Sequence, residues 1–271
     1  MLKNLILTFV EKNYFVQRLY INIINKIRGN KGDLDLGGVH IRNNKIELSG
    51  EKNHVSCKKM IQLYNTRIIL MGLFNTLEIG ENVQIAGEQP KFYIDGKDNR
   101  IVVEDNCCMI DTSFFIKGSH NTIHIGKNCS SIYTEFHIEQ DNNVLLIGNG
   151  TTMHGRAYRY VQFALDEGTT IKIGEDCMIS KDVHFRSSDS HSIVDMDGKR
   201  LNQGENIEVG NHCWFGLKSI ILKGTEIADN SIIAAGTVCV KKFSERNVII
   251  AGNPGHIVKK DVNWERKFIE N

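Results

Sequence analysis

The chain has 271 residues, enough for one large domain or two smaller ones, with 33 basic and 32 acidic residues, 24 glycines and only 2 prolines. That balance gives no overall field to gather nucleic acid or an anionic membrane, and no window of 18 apolar residues exists to span a bilayer. The seven cysteines include no CxxC pair, which argues against a zinc site and fits a reducing compartment.

Charge is unevenly spread along the chain. Residues 1–31 hold six Lys or Arg and one Glu, about +5, which leaves about −4 for the remainder. The opening LILTFV is short and is followed at once by Glu11 and Lys12, unlike a signal peptide, so the reading is a cytoplasmic protein. Val16, Leu19, Tyr20, Ile23, Ile24 and Ile27 fall at helical spacing and RGNKG ends the run, which predicts an amphipathic helix over residues 1–30. Such a helix either covers the unpaired edge of a first coil or makes a basic peripheral contact with the inner membrane or with envelope-synthesis machinery. Residues 31–78 carry weak repeats and are expected to form irregular first coils.

From residue 79 a period takes over. Val209, Phe215, Ile221, Ile227, Ile233 and Cys239 recur every six positions, and four residues after the first five come Cys213, Ser219, Thr225, Ser231 and Thr237, all small. A helix repeats near 3.6 and a plain strand at 2, so a strict six means short strands joined by corners. Upstream, Ile79, Val103, Ile125, Ile147, Ile173 and Val209 follow at intervals of 24, 22, 22, 26 and 36. Three hexads make 18; the excess lies in GKDNR, GSHNT, QDNN and EGTT, turn-forming residues expected to bulge at one corner. About eight such coils make a parallel β-helix. Cys107, Cys129, Cys177 and Cys213 take the small inward position and Cys239 an apolar one, so the thiols are filler. The pattern halts in FRSSDSHSIVD, where the 36-residue interval sends residues 192–206 out of the prism as a loop just after His191. NWERKF then starts a short polar tail or helix, residues 261–271, closing the second edge.

The hexad [LIV]-[GAED]-x-x-[STAV]-x, with NHCWFGLKSIILKGTEIADNSIIAAGTVCVKK and IIAGNPGHIVKK, resembles the hexapeptide-repeat acyltransferases. IKIGEDCMIS through SSDSHSIVDMDGKRLN to GNHCWFG is similar to their sugar O-acetyltransferases, those of capsule and exopolysaccharide clusters included. The resemblance covers residues 79–260 for the repeat and implies a left-handed parallel β-helix, acetyl-CoA as co-substrate, a saccharide hydroxyl as acceptor and no metal.

Such a transfer needs a base, because an alcohol is a weak nucleophile at neutral pH, and imidazole is suited to take its proton. His191 stands at the mouth of the long interval, where the family places its catalytic histidine. Asp189, two residues earlier, is a candidate to orient the ring. Arg200 and Asn202, with Asp195, are candidates to touch hydroxyls or a carboxylate on a sugar. Trp214, in the family's WIG position, and Tyr158 and Tyr160 of RAYRY are candidates to stack on a sugar or on the pantetheine arm. His124, His137, His154, His184 and His212 lie within coils as surface ladder residues; a zinc-bearing variant of the fold would need three of them to converge.

Carried across residue by residue, coenzyme A contacts fall at Gly216, Leu217, Ala234 and Lys241, with His256 and Lys259 near the phosphates. Two departures stand out: Val240-Lys241 replaces the usual Thr-Lys, and His256 follows Pro254-Gly255 where a basic residue usually follows Pro-Ala. A groove shared by neighbouring prisms implies a homotrimer with interfacial sites. The competing readings are an acceptor of another kind, such as serine, an amino-sugar nucleotide or an antibiotic, and a non-catalytic β-helical scaffold.

Overall fold

A computed structural model describes residues 31–36, 39–42, 44–88 and 91–270, so the helix expected over residues 1–30 lies outside the described residues. Short strands wind into a parallel solenoid of about nine turns with three flat faces. One face is an 11-stranded sheet running from Val39–Arg42 to Val248–Gly252, parallel except where that last strand meets Gly255–Lys260. The other two faces share an 18-stranded sheet. Among the described residues no helix is long and apolar enough to cross a membrane.

The winding begins earlier than expected. Lys45 pairs with Arg67 and Arg67 with Lys91, and the register then runs without a slip through Ser113 and Glu135. The coils between 45 and 78 are therefore regular rather than irregular. Their side chains explain it: Leu48, Leu70, Ile94, Ile116, Ile138 and Leu165 stack one above the next, none more than 1% exposed. Weak hexads conceal a sound interior column, because the outward positions of these coils are free to vary.

The hexad residues fill the interior as the period requires. Val209, Phe215, Ile221, Ile227, Ile233 and Cys239 are buried, and the small residues at Cys213, Ser219, Thr225, Ser231 and Thr237 are each 0% exposed. Cys107, Cys129 and Cys177 are buried with them. An inward phenylalanine column runs through Phe92, Phe114, Phe136, Phe163 and Phe185, with adjacent ring centroids 4.6 to 5.3 Å apart. It stops at Phe185 because the next rung presents Ile221.

One corner departs from expectation and positions the site. The excess residues in GKDNR, GSHNT and QDNN do not simply bulge; each contributes an asparagine that turns inward. Asn53, Asn75, Asn99, Asn121 and Asn143 are at most 1% exposed. Each amide donates to the Oδ1 of the one before, as Asn121 Nδ2 does to Asn99 at 3.0 Å and Asn143 Nδ2 to Asn121 at 3.0 Å. Such a ladder saturates the polar groups that burial would otherwise leave costly. It ends where Asn143 Oδ1 accepts from Thr169 N at 3.0 Å and the Thr169 hydroxyl meets Ser187 Oγ at 2.5 Å. Beyond that rung the wide corner is replaced by the 192–206 excursion, and the coil after it shortens to three hexads, as the pairing of Val209 with Ile227 shows.

The C-terminal segment is neither a helix nor a loose polar tail. Trp264 is 5% exposed, its Nε1 donates to His212 O at 2.8 Å, and its ring stacks on His212 at 4.2 Å. Arg266 then reaches back to Asp176 Oδ1 at 3.0 Å and Thr152 Oγ1 at 3.0 Å. The segment is a strap lying across three coils, held by an aromatic residue that the polar look of the sequence obscures.

Candidate active site

His191 lies just past the strand His184–Arg186, at the corner where the asparagine ladder has ended. Ser190 takes a left-handed conformation, φ 61°, and its N–H donates to Ser188 Oγ at 2.9 Å, which turns the chain sharply before the histidine. The imidazole is exposed, and among the described residues it has no hydrogen bond within the chain. It is therefore unencumbered as a proton acceptor.

The excursion that follows is an ordered hairpin. Leu201 N donates to Ile193 O at 2.8 Å, Val194 bridges Arg200, and Asp195 closes the tip by accepting from Lys199 N at 2.8 Å. It exposes Ile193 (58%), Met196 (101%) and Leu201 (58%) beside the exposed Asp197 and Lys199. At its base Asn202 is 8% exposed, donates to His191 O at 2.7 Å and Asp189 Oδ2 at 2.8 Å, and accepts from Ile193 N at 2.6 Å. Asn202 is thus a lock inside the protein, not a contact for a sugar hydroxyl, because burial and these partners use up its amide.

Asp189 does not orient the His191 ring. Its carboxylate accepts from Lys223 Nζ at 2.5 Å and from Asn202, partners that hold it below the usual carboxylate range. Arg200 is likewise committed: it donates to Glu167 Oε1 at 2.6 Å, and Glu167 also accepts from Ser188 Oγ and from Gly204 N at 3.1 Å. These bonds, the Arg200 one foremost, pull the Glu167 carboxyl down to about 2. Glu167, Lys223, Asp189 and Asn202 therefore brace the hairpin on both sides of His191. Sequence reasoning missed Glu167 and Lys223, whose partners stand 33 and 34 residues away and meet only through winding.

The residues carried across for coenzyme A divide between two edges. Gly216 and Ala234 follow the paired Phe215 and Ile233, Leu217 O accepts from Gly236 N at 2.8 Å, and His256 pairs with Ala251 on the same edge. Gly216 is glycine for a packing reason, since a Cβ there would stand 2.6 Å from Ala235 N. Lys259 sits further in, paired with Ile249. Lys241 lies two residues beyond the Ile221–Cys239 pair, as Lys223 does, and so belongs to the His191 edge. The strand Ile220–Leu222, with a turn at each end, separates Leu217 from Lys223, so the two stand at successive corners. One chain therefore keeps His191 and the Gly216 edge a full face apart.

Trp214 points outward, 37% exposed, with the buried Trp264 ring 6.1 Å away. Tyr158 is 94% and Tyr160 41% exposed on a tight turn closed by reciprocal Arg156–Arg159 bonds of 3.0 and 2.8 Å. That turn stands on the Gly216 edge, two coils earlier. The histidines within coils pair separately: His124 with Glu104, His137 with Glu135 and Glu139, His154 with Ser130, His184 with Gln162 and Asp182, His212 with Asp176. Among the described residues no group of three His, Cys, Asp or Glu could hold a metal ion.

No family model matches the chain. It is 29% identical over 108 residues, 40% of its length, to the polysialic acid O-acetyltransferase of Neisseria meningitidis, covering 50% of that relative. To the Escherichia coli O1:K1 polysialic acid O-acetyltransferase it is 33% identical over 97 residues, 35% of this chain and 31% of that one. The chain thus spans half the length or less of these curated relatives. The solved structure of the polySia-specific acetyltransferase NeuO superposes with a TM-score of 0.67 and 27% identity, over 74% of this chain and 89% of that one. The chain is accordingly a left-handed parallel β-helix, and these relatives are named as polysialic acid O-acetyltransferases.

Proposed function

We propose that this chain is an acetyl-CoA-dependent O-acetyltransferase acting on a hydroxyl of a bacterial envelope saccharide, with His191 as general base. The single observation that carries the reading is His191 itself: an exposed imidazole without a hydrogen-bond partner among the described residues, presented by a hairpin that buried Asn202 and ionised Glu167 hold in place. In the proposed step the imidazole takes the acceptor hydroxyl proton as its oxygen attacks the thioester carbon. Collapse of the tetrahedral adduct expels the thiolate, which receives that proton from the imidazolium. No covalent enzyme intermediate is needed.

The separation of His191 and the Gly216 edge at different corners supports a site completed by a second prism, and the exposed Ile193, Met196 and Leu201 of the hairpin suit such a neighbour. A homotrimer satisfies both by setting the His191 edge of one prism against the Gly216 edge of the next. The test is thiol release from acetyl-CoA in the presence of envelope polysaccharide, for the wild type and His191→Ala, with mass spectrometry of the product for an added acetyl group. Acetylation that survives His191→Ala would remove the base from the scheme, and a monomer by sedimentation at assay concentration would remove the shared site.

A further inference from the structure

The outward side of the His191-bearing face carries a feature the proposed transfer does not use. Tyr93, Phe115 and His137 stand on successive rungs and stack face to face, with centroids 5.2 and 4.7 Å apart. The next rung in register offers only Ala164, and the one after it Arg186. The stack therefore stops. One face of the His137 imidazole borders a cavity of about 270 Å³ floored by Ala164, with Arg186 across it.

The walls are polar and convergent. Glu135 and Gln162 close one side, and Glu139 and Asp166 the other. Glu135 and Glu139 grip His137 through Nδ1 at 3.3 Å and Nε2 at 3.2 Å, which fixes the ring plane and favours its charged form. Ser188 and Ser190 line the same cavity, and Ser190 is the residue before His191. The space thus opens one residue from the proposed base.

We infer that the Ala164 cavity is a saccharide subsite for an uncharged pyranose, one sugar seated on the His137 ring while a neighbouring unit of the same glycan reaches His191. The fixed His137 ring offers a flat surface for van der Waals contact with the apolar side of a sugar, and carboxylates, an amide and hydroxyls receive its hydroxyl donors. Three carboxylates against one guanidinium and one imidazole make the walls net acidic, which disfavours a sugar bearing its own carboxylate. This deepens the transferase reading and rests on it for the use of the site, and it distinguishes this chain from relatives named for polysialic acid.

The test is binding, measured by saturation-transfer NMR titration of the full chain with maltohexaose, chitohexaose and a sialic acid hexamer. At least one neutral hexamer is expected to bind at least tenfold more tightly than the sialic acid hexamer. Ala164→Phe, which fills the cavity, should weaken that neutral ligand at least tenfold, and the milder Ala164→Val should weaken it less; both are checked for unchanged circular dichroism. Glu135→Gln with Glu139→Gln should narrow the gap to the sialic acid hexamer. Sialic acid bound as tightly as either neutral hexamer, no neutral binding, or neutral binding indifferent to both Ala164 variants would overturn the subsite. Saccharide binding retained where acetyl-CoA gives no His191-dependent thiol release would instead count against the transferase reading alone.

Discussion

Replacing Glu167 by Gln should loosen the hairpin that presents His191 without unfolding the prism. In the folded chain Arg200, Ser188 and Gly204 N converge on this carboxylate and bring it from an ordinary 4.5 to about 2. That fall corresponds to a ceiling of roughly 3.5 kcal/mol, at about 1.4 kcal/mol per tenfold change in proton affinity. The pair sits near the surface, with the Arg200 side chain 33% exposed, so solvent screening reduces the expected cost to about 1–2 kcal/mol. The assay is native amide exchange at Ile193 and Leu201, whose N–H groups are held by Asn202 Oδ1 and Ile193 O. Glu167→Gln should lower their protection roughly five- to thirty-fold, while the interior amides at Phe163 and Phe185 stay unchanged. The pH dependence has a defined sign. The carboxyl is depressed on folding, so its contribution is complete above about 4.5 and is lost as pH falls through 2. Wild-type hairpin protection should decline over that window more steeply than the variant's, which retains only the Asp189 contribution. Equal protection in both proteins at neutral pH would refute the bracing role assigned to Glu167.

His191→Ala should cut saccharide-dependent thiol release by about 10² to 10⁴, the usual worth of a general base, and leave the urea midpoint unmoved because the ring has no hydrogen bond among the described residues. Asn121→Ala should lower stability by about 3–5 kcal/mol in urea unfolding. It strips Gln140 O of a donor and Asn143 N and Nδ2 of their shared acceptor, all in the interior ladder; a loss under about 1 kcal/mol would show that water replaces the amide. Of the seven thiols only Cys108 is partly exposed, and burial pushes Cys57 and Cys239 up to about 12. Titration with an aromatic disulfide should therefore find one accessible thiol in the native protein and seven after denaturation.

The six-residue period was enough to predict the interior, because an inward column admits only residues that stack on their own kind: the hexad apolar positions and the small thiols and hydroxyls between them all proved buried. His191, the proposed base, was singled out for the opposite reason. A histidine beside an interruption of an otherwise strict repeat has few structural roles to fill. The asparagines of GKDNR, GSHNT and QDNN misled, since the residue that makes a turn in isolation makes a buried ladder when another stands one coil below it. The hairpin residues misled likewise: Asp189, Arg200 and Asn202 are close in sequence to His191, yet their charges and amides are spent on Lys223, Glu167 and one another. Trp264 looked like part of a polar tail until its 52-residue return to His212 was visible. The sequence by itself determined the winding and which side chains face inward, because period is a local property of the chain. Only the tertiary structure decided what lies beside what along the prism axis, where neighbours are a whole coil or more apart in sequence. The brace around His191 and the Ala164 cavity exist solely at that separation.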